Sequence, residues 1–205
     1  MHQFKSEQEA FWSGEFGMEY ITRNQDTELL ACNVNLFKRI LASTQCVKSI
    51  LEFGANIGMN LQAMQRIKPE LNISAVEINE VACTELKKLN LTKVYHQSLL
   101  DFKVDYPRDF VLTKGVLIHV SPDYLDEVYQ ILYEASDRYI CIAEYYSLIP
   151  TALPYRGHAN KLFKRDFAGE MLERYPNLKL IDYHFCYHRD KRFGREDLTW
   201  FLLEK

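Results

Sequence analysis

Four residues in one window, and a fifth beyond it, have the types and spacing to do chemistry together. In the run ILEFGANIGMN, residues 50–60, Glu52, Gly54, Asn56 and Gly58 alternate behind branched apolar residues and precede a helix-like stretch. Glycines at Gly54 and Gly58 remove side chains that would block approach to the main chain, and asparagine tolerates left-handed backbone at Asn56. A carboxylate inside such a turn repels a pyrophosphate, but it can help to hold an ammonium or sulfonium group, directly or through water. Glu77 ends the next apolar run, nineteen residues after Gly58, close to the ~20 at which an acid meets a ribose diol in nucleoside-binding α/β folds. Neither GxGxxG nor GxxxxGK[ST] occurs, which disfavours nucleotide phosphates and favours a zwitterionic nucleoside.

Further candidates stand at the ends of other apolar runs. His119 follows LTKGVLI and reads either as a structural histidine or as a base near Lys114 and Gly115. Glu144, Tyr145 and Tyr146 end RYICIAEYY; a glutamate there is costly to bury unpaired, so contact with a polar ligand or a cation is expected. Two basic runs follow, Arg156, His158, Lys161, Lys164 and Arg165, then His188, Arg189, Lys191, Arg192 and Arg195. They read as solvated faces or, flanking one edge of the sheet, as a local site for an anion that arginine can grip bidentately.

These residues must be positioned by a parallel sheet. VKSILEF, ISAVE, KVYHQ, DFVLTKG and RYICIAEYY are strand-like and alternate with helical MNLQAMQRI, EVACTELKKL and SPDYLDEVYQILYEA. Residues 27–43 place Leu30, Val34, Phe37 and Leu41 at helical spacing behind Asp26 or Thr27 as a cap. Ser121 before Pro122 reads as a capped helix start. KRDFAGEMLERY is helical, and LKLIDYHFCYH with DLTWFLLEK predicts a closing antiparallel hairpin. Ser147 to Asn160 carries Pro150, Pro154 and Gly157 without a clear period and reads as an ordered loop at the carboxyl edge. Trp12, Phe16, Tyr20, Arg23 and Asn24 form either a plain cover or a lid in which Tyr20, Arg23 and Asn24 close over a zwitterion.

Composition narrows the class. With 205 residues, 47% apolar and 26% charged, one core and one domain are expected. The division is a cover or lid at 1–26, a core at 27–146, and a loop, helix and hairpin at 147–205. A net charge of −3 argues against coating a polyanion, so no nucleic-acid partner is expected. Cys32, Cys46, Cys83, Cys141 and Cys186 form no metal-ligand spacing and read as reduced core residues, so no metal is expected. No signal peptide and no apolar stretch of membrane length is visible, so no membrane partner and a cytoplasmic location are expected. Oligomeric state has no signal here.

ILEFGANIG and AVEIN resemble the first two motifs of the class I S-adenosylmethionine-dependent methyltransferases over roughly residues 27–146, with Asn56 as the main departure. The resemblance implies an α/β Rossmann-like fold with a mostly parallel seven-stranded sheet, a C-terminal antiparallel hairpin and helices on both faces. It implies S-adenosyl-L-methionine as cofactor, leaving as S-adenosyl-L-homocysteine. Glu52, Gly54, Asn56 and Gly58 would line the methionine half, Glu77 the ribose, Ser98 and Leu99 the adenine, and Lys114 and Gly115 the reactive middle.

A narrower resemblance joins EAFWSGEFGMEYITRN, LTKGVLIHVSPDYL, PYRGHANKLFKRDFAGEM and HRDKRFGREDLTWFLLEK to methylases associated with pseudaminic-acid biosynthesis. It implies a small anionic acceptor, a nonulosonic sugar of pseudaminic or legionaminic type or its nucleotide-linked precursor. Tyr145, Tyr146, Arg156, Lys161, Arg165 and Arg189 are the candidate acceptor contacts. For a hydroxyl acceptor, His119, Glu144 or His158 would be the base. Methylation of RNA or protein, disfavoured by the acidic charge and the lack of an NPPY-type motif, and a non-catalytic cofactor-binding module are the competing readings.

Overall fold

The computed structural model describes residues 4–23, 27–193 and 196–205. Five parallel strands, β1 (Ser49–Phe53), β2 (Asn72–Glu77), β3 (Lys93–His96), β4 (Arg108–Lys114) and β5 (Ser136–Glu144), are followed by a short pair, β6 (Thr151–Tyr155) and β7 (His158–Lys164). The final strands β8 (Lys179–Cys186) and β9 (Leu198–Glu204) complete a seven-stranded sheet of order β3-β2-β1-β4-β5-β9-β8, with β9 antiparallel to both neighbours. This is the mostly parallel α/β sheet and closing hairpin that the strand-like runs predict.

The helices are α1 (Glu7–Ser13), α2 (Glu15–Arg23), α3 (Thr27–Ala42), α4 (Met59–Ile67), α5 (Glu80–Leu86), α6 (Leu125–Ala135) and α7 (Phe167–Arg174). β1 is buried on both faces, so its apolar residues run together rather than alternate, with Glu52 the one charged residue among them. Ile50 packs with α3 and α4 residues such as Phe37, Ile40 and Leu61, while Leu51 and Phe53 pack with α6 and α7 residues such as Val128, Leu132 and Met171. In α3, Leu30, Phe37 and Leu41 are buried and Val34 is partly so; Asp26, the alternative cap, lies outside the described residues.

Three local expectations are corrected. The segment from Ser147 to Asn160 is largely a hairpin rather than a loop. Its strands β6 and β7 are joined by Arg156 and Gly157, whose φ values of 50° and 89° suit a tight turn between twisted strands. No alternation announced β6, because its residues are nearly all exposed, and Pro154 falls where the pairing register shifts. Ser121 makes no side-chain cap; Pro122 instead opens a 3₁₀ turn leading into α6. All five cysteines are free, but Cys46 is exposed and Cys32 only partly buried, so three of them, not five, are core residues.

Candidate active site

The glycine-spaced turn joins β1 to α4 and is left-handed at Gly54 (φ 68°), Asn56 (φ 49°) and Gly58 (φ 80°). Asn56 therefore adopts the backbone its type tolerates, and its Oδ1 accepts from the Ile57 amide at 2.7 Å. Both glycines are also required by packing. A β-carbon on Gly54 would come within 2.5 Å of the Val116 side chain, and one on Gly58 within 2.5 Å of Leu89. The turn's amides are also engaged internally. Gly54 and Ala55 donate to the Val76 carbonyl, Gly58 donates to the Ala55 carbonyl, and Asn56 donates to Glu77. No ring of free N–H groups awaits a phosphate, in keeping with the missing phosphate motifs.

A cleft opens over this turn. Its walls include Gly54 to Ile57, Asn60, Glu77 to Asn79, Gln97 to Leu100, Lys114 to Val116 and His119, and its roof includes Ser6, Gln8, Glu9, Trp12 and Tyr20. The predicted Tyr20, Gly54, Asn56, Glu77, Ser98, Leu99, Lys114, Gly115 and His119 therefore share one cavity. Gly58 is not among its walls. Arg23 ends α2, with its side chain, like Asn24, outside the described residues.

Glu77 closes β2 with both oxygens engaged by the main chain, Oε2 accepting from the Asn56 amide at 2.7 Å and Oε1 from the Asn79 amide at 2.8 Å. Burial raises its pKa, opposed by the amides of Asn79, Asn56 and Ile78. A carboxylate oxygen accepts more than one hydrogen bond, so this acid can still take hydroxyl donors from the cleft. Ser98 Oγ accepts from the Leu100 amide at 3.0 Å and shapes the 3₁₀ turn Leu99–Asp101.

Glu52 lies beneath the cleft wall, fully buried, its Oε1 accepting from Asn60 Nδ2 at 2.6 Å. Burial pushes its pKa up to about 8 against the pull of the Asn60 amide. Glu52 Oε2 and Asn60 Oδ1 are buried without a partner. With Lys114 two places along β4 from Leu112, the register partner of Glu52, these two oxygens form a polar end that an ammonium group would complete once Glu52 gives up its proton. Asn60, eight residues from Glu52, escaped the sequence reading because a contact from a strand to the second residue of a helix follows no fixed period.

Glu144 is not placed to touch a ligand, which corrects both its candidacy as a base and its expected partner. It is buried, and its carboxylate accepts from the amides of Val116 at 3.0 Å, Leu117 at 3.1 Å and Ile118 at 3.4 Å. Burial pushes its pKa up to about 7 although these amides favour the charged form. The carboxylate anchors the chain leaving β4, and that chain carries His119.

His119 is buried on the cleft wall with Nδ1 2.5 Å from the Lys161 carbonyl. A carbonyl can only accept, so Nδ1 carries the proton and Nε2 presents a lone pair. Burial lowers its pKa to about 4, keeping the ring neutral at ordinary pH. Trp12 and Tyr155 pack against it with centroids 4.6 and 4.7 Å away.

The remaining candidates stay off the cleft walls. His158 is exposed at the start of β7, its ring against Phe11 and Phe16. Lys161 is buried and paired with Glu7 at 2.8 Å, and Arg165 with Glu170 at 2.7 Å. Arg156 is exposed in the β6–β7 turn beside Tyr155, and Arg189 is exposed in the loop after β8. Tyr146 is exposed beside Phe201, whereas Tyr145 is half-buried, with its pKa raised by burial and by Glu196. Of these runs, Lys161, Arg165, His188 and Arg192 face carboxylates within the chain, and none of the described members lines the cleft; Arg195 lies outside the described residues.

No protein-family model and no curated protein matches this chain. Solved structures do share its fold. An S-adenosylmethionine-dependent methyltransferase from Leishmania major superposes with a TM-score of 0.74 at 13% identity, over 97% of this chain and 81% of that one. The 1,6-didemethyltoxoflavin-N1-methyltransferase of Burkholderia thailandensis, with its substrate and S-adenosylhomocysteine bound, gives 0.70 at 11% identity over 97% and 86%. Magnesium protoporphyrin IX methyltransferase from Synechocystis, with S-adenosylmethionine bound, gives 0.66 at 11% identity over the full length of both chains. The sheet, its closing hairpin and its helical layers are therefore those of the S-adenosylmethionine-dependent methyltransferases.

Proposed function

We propose that this protein is an S-adenosylmethionine-dependent methyltransferase acting on a small molecule. The observation that carries the reading is one cleft at the carboxyl ends of β1, β2 and β4 that is lined by both Glu77 and Asn60, with the buried Glu52 hydrogen-bonded to Asn60 behind its wall. Glu77 would take the ribose hydroxyls, Glu52 with Asn60 the ammonium of the methionine half, and Ser98 and Leu99 the adenine side. When bound, S-adenosylmethionine supplies a methyl group made electrophilic by its sulfonium. The protein's own task is alignment of the acceptor with that group, an effect that can be worth ~7 kcal/mol or more.

His119 is the base this reading favours for a hydroxyl acceptor, since Nε2 holds a lone pair while Nδ1–H is fixed on the Lys161 carbonyl. An imidazole with a pKa of about 4 stays unprotonated at neutral pH, so transfer to a hydroxyl should lose rate only as pH falls towards 4. For an amine acceptor the base is dispensable. The finer reading, a nonulosonic sugar or its nucleotide-linked precursor, draws on the sequence blocks at the two ends of the chain. Lys114 is the lysine on the described cleft wall that could meet its carboxylate.

The test is incubation of the pure protein with methyl-labelled S-adenosylmethionine and a panel of activated nine-carbon sugars, proteins and RNA. Label in the sugars is the expected result. Label in RNA or protein alone would replace the acceptor class, and failure of calorimetry to detect binding of S-adenosylmethionine or S-adenosylhomocysteine would remove the reading altogether.

A further inference from the structure

Seven buried side-chain nitrogen or oxygen atoms lack a partner among the described residues, and their distribution is uneven. Those of Arg108, Thr113 and Trp200 belong to residues away from the cleft, while Asn60 lines it and Glu52, bonded to Asn60, lies behind that wall. The remaining two, Glu9 Oε1 and Trp12 Nε1, stand one turn apart on α1, and both residues line the same cleft from above. One is an acceptor without a donor, the other a donor without an acceptor. Native interiors leave few such groups, and here the deficit has a definite chemical complement.

The position of α1 says which part of a ligand lies below. Before the helix, Lys5 Nζ donates to the Leu100 carbonyl at 2.7 Å, and at its far end the Trp12 carbonyl accepts from Asn79 Nδ2 at 3.2 Å. Leu100 belongs to the turn after β3 and Asn79 follows Glu77, so α1 spans the side of the cleft opposite the Glu52–Asn60 end. Its placement is firm. Ser6 and Glu9 form a reciprocal cap, Glu9 Oε2 accepting from the Ser6 amide at 2.8 Å. Glu7 pairs with Lys161, and Gln8 Nε2 donates to the Asn160 carbonyl at 3.0 Å. Glu9 thus has one oxygen occupied by its own helix and the other unmatched. Ser98, the residue expected beside the adenine, already accepts from the Leu100 amide.

Resting on the methyltransferase reading, we propose that α1 is a strap over the nucleoside, in which Glu9 Oε1 accepts from the amino edge of the base and Trp12 Nε1 donates to an oxygen on the ribose side. The strap, rather than the loop after β3, supplies the charged acceptor for the base. Lys161 and Asn160 hold the strap closed, and the same Lys161 carbonyl orients His119.

Calorimetry on the full chain with S-adenosylhomocysteine, adenosine and S-inosylhomocysteine, whose base has a carbonyl in place of the amino group, tests the assignment. Melting temperatures serve to establish that each variant is folded. Wild type should prefer the adenine form. Glu9→Gln should weaken S-adenosylhomocysteine and adenosine about tenfold, the range for losing a hydrogen bond to a charged group, and should narrow or reverse the preference over the inosine form. Trp12→Phe, which keeps the ring contacts, should weaken both adenine compounds about threefold or more. Folded Glu9→Gln and Trp12→Phe proteins that bind S-adenosylhomocysteine within twofold of wild type would overturn the strap while leaving the methyltransferase reading intact. A wild type that binds none of the three compounds would overturn the reading beneath it.

Discussion

The carboxyl edge of the sheet is built on opposite electrostatic plans at its two ends. Around β1 and β2, Glu52 is buried with one oxygen lacking a partner among the described residues, and Glu77, though held by main-chain amides, lines the cleft. Around β5 and the β6–β7 hairpin, charges are matched within the chain, as in Lys161 with Glu7, Arg165 with Glu170, and Glu144 with three amides. A buried group without its complement costs free energy that a ligand can recover, whereas a matched pair has little left to offer. On the proposed reading, the first region is the binding surface and the second a scaffold that sets its geometry.

Removing a scaffold group should do most damage to the fold. Glu144→Ala leaves three amides without an acceptor and should destabilise the protein by about 3 kcal/mol or more. Chemical denaturation would read this, and a loss below 1 kcal/mol would place Glu144 outside the scaffold. On the binding side, Glu77→Ala should weaken S-adenosylhomocysteine about 100-fold, roughly 2.7 kcal/mol, as measured by calorimetry at a temperature where the variant remains folded. Retained affinity there would break the contrast at its strongest point.

The buried Glu52 sharpens the comparison through pH. Its pKa is raised to about 8 in the fold, so the native state keeps a proton that the unfolded chain releases above the ordinary carboxyl range of ~4.3. Stability from this group is complete at low pH and is lost as pH rises towards 8, with a slope of up to about 1.4 kcal/mol per pH unit. Glu52→Gln should flatten the stability profile between pH 5 and 8, and an unchanged slope would mean that Glu52 is ionised in the fold. His119 acts in the opposite sense: with its pKa lowered to about 4, its contribution is lost as pH falls below ~6.5. The smallest effect belongs to the exposed arginines. Arg156→Ala with Arg189→Ala should shift stability by less than about 0.5 kcal/mol and leave S-adenosylhomocysteine binding unchanged, so a measurable loss of cofactor affinity would return these loops to the site.

Much of the first region could be read from residue order. Glu52 and the glycine turn lie at the end of β1, and Glu77 ends the neighbouring parallel strand β2, so their spacing carries their geometry. The second region was less legible. β6 is exposed along its length and has no alternation to betray it. The basic run around Lys161 has the composition of an anion site, and the partner of Lys161 lies more than 150 residues earlier in the chain.

Periodic burial and turn chemistry are local properties, and so residue order alone was enough to establish a parallel α/β sheet, its closing hairpin and the acid at the end of β2. Which polar groups are already satisfied is a property of contacts between distant segments. Folding alone could therefore turn Glu144 into an anchor, fix the proton of His119 on Nδ1, and leave Glu9 and Trp12 facing a cleft with a donor and an acceptor still unmatched.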